Sequence, residues 1–258
     1  MKIFNFLFLL AAAAPLVPQA RAQAGEPPRA RVAVLAELFT SEGCSSCPPA
    51  DAFLRRLIGE QPIDGVEVIA LSEHVDYWNR LGWRDPFSSK QFSERQSAYA
   101  RVRQSDRIYT PQLVIDGNAE VVGSDAAAAH RAILAAARAP HARLQLEAAR
   151  DGIDRIAVRL EVSDIPREAG GALRAMAALV EDGLAADVTR GENANRRLRH
   201  DAVVRDLRAI GDVAAQGASL TADFALDAAW AVEHLRVVAF LQDSRTLRVM
   251  GAATAPVR

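Results

Sequence analysis

An α/β domain followed by an all-β, sandwich-like domain is the fold class this sequence predicts. Three observations carry it. A strand-length apolar run leads into a Cys-x-x-Cys pair and then into residues with helical spacing. After Pro140 the apolar period changes from helical to alternating. The 258 residues, 50% hydrophobic and 24% charged, are enough for one large or two ordinary domains without a disulfide scaffold. That composition excludes an intrinsically disordered chain. A net charge of −1 argues against a dedicated nucleic-acid binder.

Residues 1–22 read as a secretory signal peptide. Lys2 is a minimal positive region, residues 3–14 are apolar except for Asn5, and Pro15 and Pro18 break the helix. Two small-x-small cleavage patterns follow, at 20–22 and 22–24. The run is shorter than the ~20 apolar residues a span needs. The expectation is therefore a protein of the periplasm or the secreted space, with no stable membrane insertion once the signal is removed. Such a compartment lets disulfides persist. Residues 23–30, rich in Ala, Gly and Pro, read as a flexible lead-in.

The first domain is placed at 31–139. Residues 31–39 (RVAVLAELF) predict a buried strand. Phe53, Leu54, Leu57 and Ile58 predict a helix after the cysteines, and residues 66–71 a second strand. The polar and aromatic segment 72–109 contains a predicted helix over 88–103. Thr110-Pro111 precedes a strand at 112–115 that closes in an Asp116-Gly117 turn, with Val121-Val122 as a hairpin partner. Ser124 is a candidate cap for an Ala-rich helix over 125–139, with Asp125 suited to its positive end. The second domain is placed at 142–258. Its strands are read from four alternating runs, at 144–148, 156–162, 220–226 and 235–241.

Cys44 and Cys47 lie between a strand and a helix. A thiolate at Cys44 would gain from the helix dipole and from unpaired N–H groups of the first turn, which lowers its pKa. Cys47 would sit inside that turn, less exposed. Cys44 is then the attacking sulfur and Cys47 the resolving one. Ser45 and Ser46 either hydrogen-bond a sulfur or are small turn residues.

The order strand, CxxC, helix, then Thr-Pro before a later strand resembles the thioredoxin fold over residues 31–139. The resemblance implies a cis Pro111 facing the cysteines and a Thr110 backbone that pairs with a bound peptide. It also implies that Glu37 acts as a buried acid relaying a proton to Cys47, although Glu37 lies one residue further from the first cysteine than in that family. The chain resembles more closely a secreted bacterial thioredoxin-like family, domain of unknown function 1223. The carrying stretch is ELFTSEGCSSCPPAD (37–51), supported by HVDYW (74–78), TPQLVIDG (110–117) and RGENANRRLRHDAVVR (190–205). That family brings no activity with it.

His74 and Trp78 follow the second strand, on the side where strand ends of open α/β sheets form sites. They are candidates for substrate binding; a packed loop is the plainer reading, and the preferred one for Tyr77 and Trp83. His200 with Arg196, Arg197 and Arg199 reads as an anion site, an inter-domain contact or a solvated loop face. The leading function is an exported thiol–disulfide oxidoreductase acting on protein thiols or disulfides, with no cofactor, no resident metal and no nucleic-acid partner. The alternatives are a non-catalytic binding protein or a Cu(I)/metal-binding module using the same cysteines. No GxGxxG, GKS/GKT or G-x-S-x-G run is present.

Overall fold

The structure, a computed structural model, describes Met1, residues 31–167 and residues 171–258. Apart from Met1, the signal-peptide and lead-in readings fall outside the described residues. Residues Arg31–Arg258 form one compact unit.

The apolar run at 31–39 becomes strand β1 (Val32–Thr40), buried on both faces from Val34 on. Helix α1 (Pro48–Glu60) follows, with Phe53, Leu54 and Leu57 turned to the core. Strand β2 (Val66–His74) pairs in parallel with β1. Helix α2 (Lys90–Val102) is capped by Ser89, whose hydroxyl accepts from the Gln91 N–H. Strands β3 (Gln112–Ile115) and β4 (Ala119–Val122) form a hairpin on the other side of β1. Helix α3 (Ala126–Ala136) is capped by Asp125, which accepts from the Ala128 N–H at 2.9 Å. Asp125 therefore takes the capping place expected of Ser124.

Nine strands follow: β5 (Arg143–Arg150), β6 (Arg155–Ser163), β7 (Leu173–Glu181), β8 (Leu184–Val188), β9 (Arg196–His200), β10 (Val203–Val213), β11 (Ala218–Ala225), β12 (Leu235–Asp243) and β13 (Val249–Pro256). They are not a separate body. An eight-stranded mixed sheet runs β13-β12-β7-β10-β2-β1-β3-β4, joining both halves of the chain. The join is a parallel bridge between Val203 and Ser72, beyond which β10 pairs antiparallel with β7. A three-stranded sheet (β11-β6-β5) and the β8-β9 hairpin complete the molecule.

This corrects the predicted fold class. The protein is mostly β, 45% strand against 19% helix, with three α-helices among the described residues. It is not an α/β thioredoxin-like domain followed by a free-standing sandwich. The physical reason lies in β2, whose buried apolar run needs cover on both edges and both faces. β1 takes one edge and β10 the other. Leu35, Ile69 and Leu71 then share one core with Val180, Val204, Leu207 and Phe240 of the later strands and Phe92 of α2. The opposite face of β1 and β2 packs under α1 and α3 through Leu38, Leu54, Leu57, Val68 and Ile133.

Candidate functional site

The cysteines stand in the loop between β1 and α1. Their Cα atoms are 5.4 Å apart and their sulfurs lie at disulfide-bonding distance. Both residues are fully buried, although Ser45 and Ser46 between them are exposed. Cys44 is thus less accessible than its place in the motif predicts. The loop can be tight because Gly43 meets Trp78: a Cβ on Gly43 would lie 3.0 Å from Trp78 Cβ.

Cys47 is the residue that caps α1, not a member of its first turn. The two following prolines have no N–H to offer, and the N–H groups of Ala50 and Asp51 are both spent on the Cys47 carbonyl, at 2.8 and 3.1 Å. The expected supply of unpaired amides is therefore missing, and only the helix dipole remains from that argument. The polar groups beside Cys44 Sγ are the Ser46 hydroxyl at 3.3 Å and the Thr110 carbonyl at 3.9 Å. Ser46 also donates to that carbonyl, at 3.4 Å.

Thr110 and Pro111, which are joined by a cis peptide bond, are brought to Cys44 by two supports. Trp78 Nε1 donates to Thr110 Oγ1 at 2.9 Å, and Gln96 Nε2 donates to the Tyr109 carbonyl at 2.8 Å. Trp78 therefore reaches the site through Thr110. His74 and Glu37 do not join this group. His74 is fully buried, with Nδ1 2.7 Å from Asp85 Oδ2. Glu37 projects from the face of β1 opposite α1. Its oxygens are taken by Arg95 Nε at 2.6 Å and by the Tyr99 hydroxyl. The proton-relay role carried over by resemblance has no path to Cys47 in this arrangement.

Behind the cysteine loop lies a buried acid–histidine network that the sequence did not reveal. Glu42 accepts from Trp83 Nε1 at 2.8 Å, and its other oxygen is 3.0 Å from His200 Nε2. The Glu42 N–H donates to Asp85 at 2.9 Å. Asp51, on α1, accepts from the Thr40 hydroxyl at 2.8 Å and stands 3.9 Å from His200 Nδ1. Burial raises the Asp51 carboxyl against the pull of the two histidines. Burial also opposes the His74 cation, but Asp85 outweighs it and holds His74 above its ordinary value; in turn Asp85 is lowered despite its burial.

The motif at 190–205 reaches the same loop from the far half of the chain. Asn193, fully buried, donates through Nδ2 to the carbonyls of Glu42 and Cys44, at 2.8 and 2.9 Å. Glu192 accepts from the Ser45 N–H at 3.0 Å. The legible signal for Asn193 was only its place in a stretch with an unusual run of Asn and Arg. Among the described residues, no group of three or more His, Cys, Asp or Glu is placed to hold a metal ion. Nor, among them, is any helix long and apolar enough to cross a membrane.

The model of a family described as a protein of unknown function, DUF1223, matches residues 35–242, most of the chain. The protein belongs to the DUF1223 family. The family match spans the cysteine loop and the 190–205 motif together, so both belong to one shared architecture. Among solved structures, the chain is similar to protein AGR_C_4864 from Agrobacterium tumefaciens, with 28% identity and a TM-score of 0.67, covering 87% of this chain and 94% of that one. HBP35 of Porphyromonas gingivalis shares the fold at 15% identity and a TM-score of 0.63, over 88% of this chain and 76% of that one. No curated protein matches the sequence.

Proposed function

We propose that this DUF1223 protein is an exported thiol–disulfide oxidoreductase whose reacting groups are Cys44 and Cys47. The observation that carries the reading is the sulfur pair at bonding distance, held in a loop whose one side is the Thr110-Pro111 segment and whose other side is Asn193. Export is inferred from residues 1–22. Protein thiols and disulfides are the proposed partners.

In the reducing direction, the Cys44 thiolate attacks one sulfur of a substrate disulfide. That S–S bond breaks, and the departing sulfur leaves as a thiolate that takes a proton from water. The Cys47 thiolate then attacks Cys44, releasing the second substrate thiol and leaving the Cys44–Cys47 disulfide. The reverse sequence oxidises a dithiol. Asp51, one helical turn beyond Cys47, is a buried carboxyl behind the cysteine loop that accepts from the Thr40 hydroxyl. Burial raises its pKa, which suits it to hold a proton on that side of the loop. Both sulfurs are buried, so a substrate must first shift Ser46 or the Glu192–Ser45 contact.

Two measurements test this. Alkylation trapping in glutathione buffers of defined ratio should show the pair opening and closing reversibly. The Cys47→Ser variant should form a stable mixed disulfide with glutathione through Cys44, whereas Cys44→Ser should form far less. A pair that stays closed across the buffer range, with no adduct in Cys47→Ser, would overturn the enzymatic reading.

A further inference from the structure

We propose that the face of α1 beyond Cys47 is a docking groove for an acidic peptide segment, namely the stretch of a substrate protein that flanks its reacting cysteine. This deepens the thiol–disulfide reading and rests on it for the substrate class; the groove itself rests on separate geometry. Two adjoining hollows, of about 500 and 190 Å³, lie where α1 meets the β8-β9 hairpin. Arg55, Arg197 and Arg199 line both. His200 and Asp51 form their inner wall, and the buried Nδ1 of His200 has no hydrogen-bond partner.

The charges do not cancel. Arg197 is paired with Asp187 at 2.8 Å. Asp201, in the larger hollow, accepts from the Gly183 N–H at 2.6 Å, which does not neutralise it, and burial raises the pKa of Asp51 in the smaller one, so two cations, Arg55 and Arg199, face essentially one carboxylate. Among the described residues, Arg55 and Arg199 have no ion-pair partner, and both reach solvent. Strand alternation puts Arg197 and Arg199 on the outer face of β9, while Leu198 and His200 point inward. On α1, Pro48, Asp51 and Arg55 share one face by their spacing, and that face begins one residue after Cys47.

Distance then fixes where the acid should be. Arg55 is eight residues beyond Cys47, about 12 Å along the helix. The substrate cysteine joins Cys44, whose Cα is 5.4 Å from that of Cys47, so an extended peptide reaches Arg55 in about three to five residues. An Asp or Glu about three to five positions from the reacting cysteine therefore meets Arg55 and Arg199. A guanidinium recognises a carboxylate through paired hydrogen bonds. A nucleic acid fits poorly, because a net charge of −1 leaves no basic field beyond the groove.

The test uses a fluorescein-labelled peptide with serine in place of its cysteine and glutamates three and four positions away. A second peptide carries glutamines there, and a third lysines. At low ionic strength the glutamate peptide should bind the whole protein about tenfold more tightly than the glutamine peptide, in line with two exposed ion pairs. The Arg55→Gln/Arg199→Gln double variant should abolish that difference. Arg55→Glu/Arg199→Glu should prefer the lysine peptide. Equal binding of the glutamate and glutamine peptides by the native protein, or a glutamate preference that survives the double variant, would sink the proposal. The peptide has no thiol, so its binding does not depend on the redox pair. A charge preference without glutathione adducts would strike only the oxidoreductase reading, and adducts without a charge preference only the groove.

Discussion

Glu73 is a fully buried carboxyl with neither oxygen in a hydrogen bond. Burial raises its pKa well above the ordinary 4.5; Arg95, 3.4 Å away, works against that shift, while the neighbouring Glu37 adds to it. The folded protein thus keeps a proton that the unfolded chain loses near pH 4.5, so this group costs stability as pH rises from there towards its folded value. Glu73→Gln should remove that cost. We expect the variant to be more stable than the native protein at pH 7, and little different at pH 4. Urea unfolding at the two pH values measures it, and an equal difference at both would refute the argument. The resemblance implied a buried Glu37, and it is fully buried, yet strand alternation turns it away from α1. The burial of Glu73 leaves no local pattern in the sequence. Asp51 drew no attention because a helical acid ordinarily faces water.

At the scale of elements, the β3–β4 turn shows how one hairpin locks another. Gly117 adopts φ +64°, and a Cβ there would fall 1.9 Å from the carbonyl oxygen of Leu247 in the turn between β12 and β13. The Val249 N–H donates to the Asp116 carbonyl at 2.8 Å beside it. Gly117→Ala combines a left-handed backbone with a clash against main chain, and should cost about 3 kcal/mol or more. Gly59 is the matched control. Nothing lies within 4 Å of a Cβ there, and Gly59→Ala in α1 should stabilise by about 0.5 to 1 kcal/mol. Thermal unfolding of both variants checks the contrast; similar midpoints would disprove it. The turn itself was readable from Asp116-Gly117. Its partner was not, because close approach between distant hairpins leaves no local pattern.

Alternation was a sound guide only for strands covered on one side. The runs at 144–148, 156–162 and 220–226 became β5, β6 and β11, which alternate in burial. The fourth run, at 235–241, became β12, which lies between β7 and β13 and is buried on both faces for most of its length. Strand β7 lies outside those four runs: Leu-Arg-Ala-Met-Ala-Ala-Leu-Val-Glu has no alternation and a largely helix-forming composition, and tertiary burial makes it a strand.

For the whole molecule, the shared sheet makes a definite prediction. A chain ending at residue 139 would leave the inner face of β1 and β2 without Val180, Val204, Leu207 and Phe240. It should lack a cooperative unfolding transition, whereas the full chain should unfold once, with fluorescence and far-ultraviolet dichroism coinciding. Two separated transitions in the full chain, or a cooperative 31–139 fragment, would contradict this.

The sequence by itself determined the local pieces: the helices, the half-buried strands, the Thr-Pro segment and the cysteine pair. Each depends on periodicity, turn chemistry or spacing within a few residues. Only the tertiary structure decided that β2 completes its edge with β10, that Asn193 and Glu192 grip the cysteine loop, and that Asp51 rather than Glu37 stands on its side. These depend on which apolar surfaces find cover and which buried polar atoms find partners. Most of those demands are met by residues more than a hundred positions apart, and no local pattern records them.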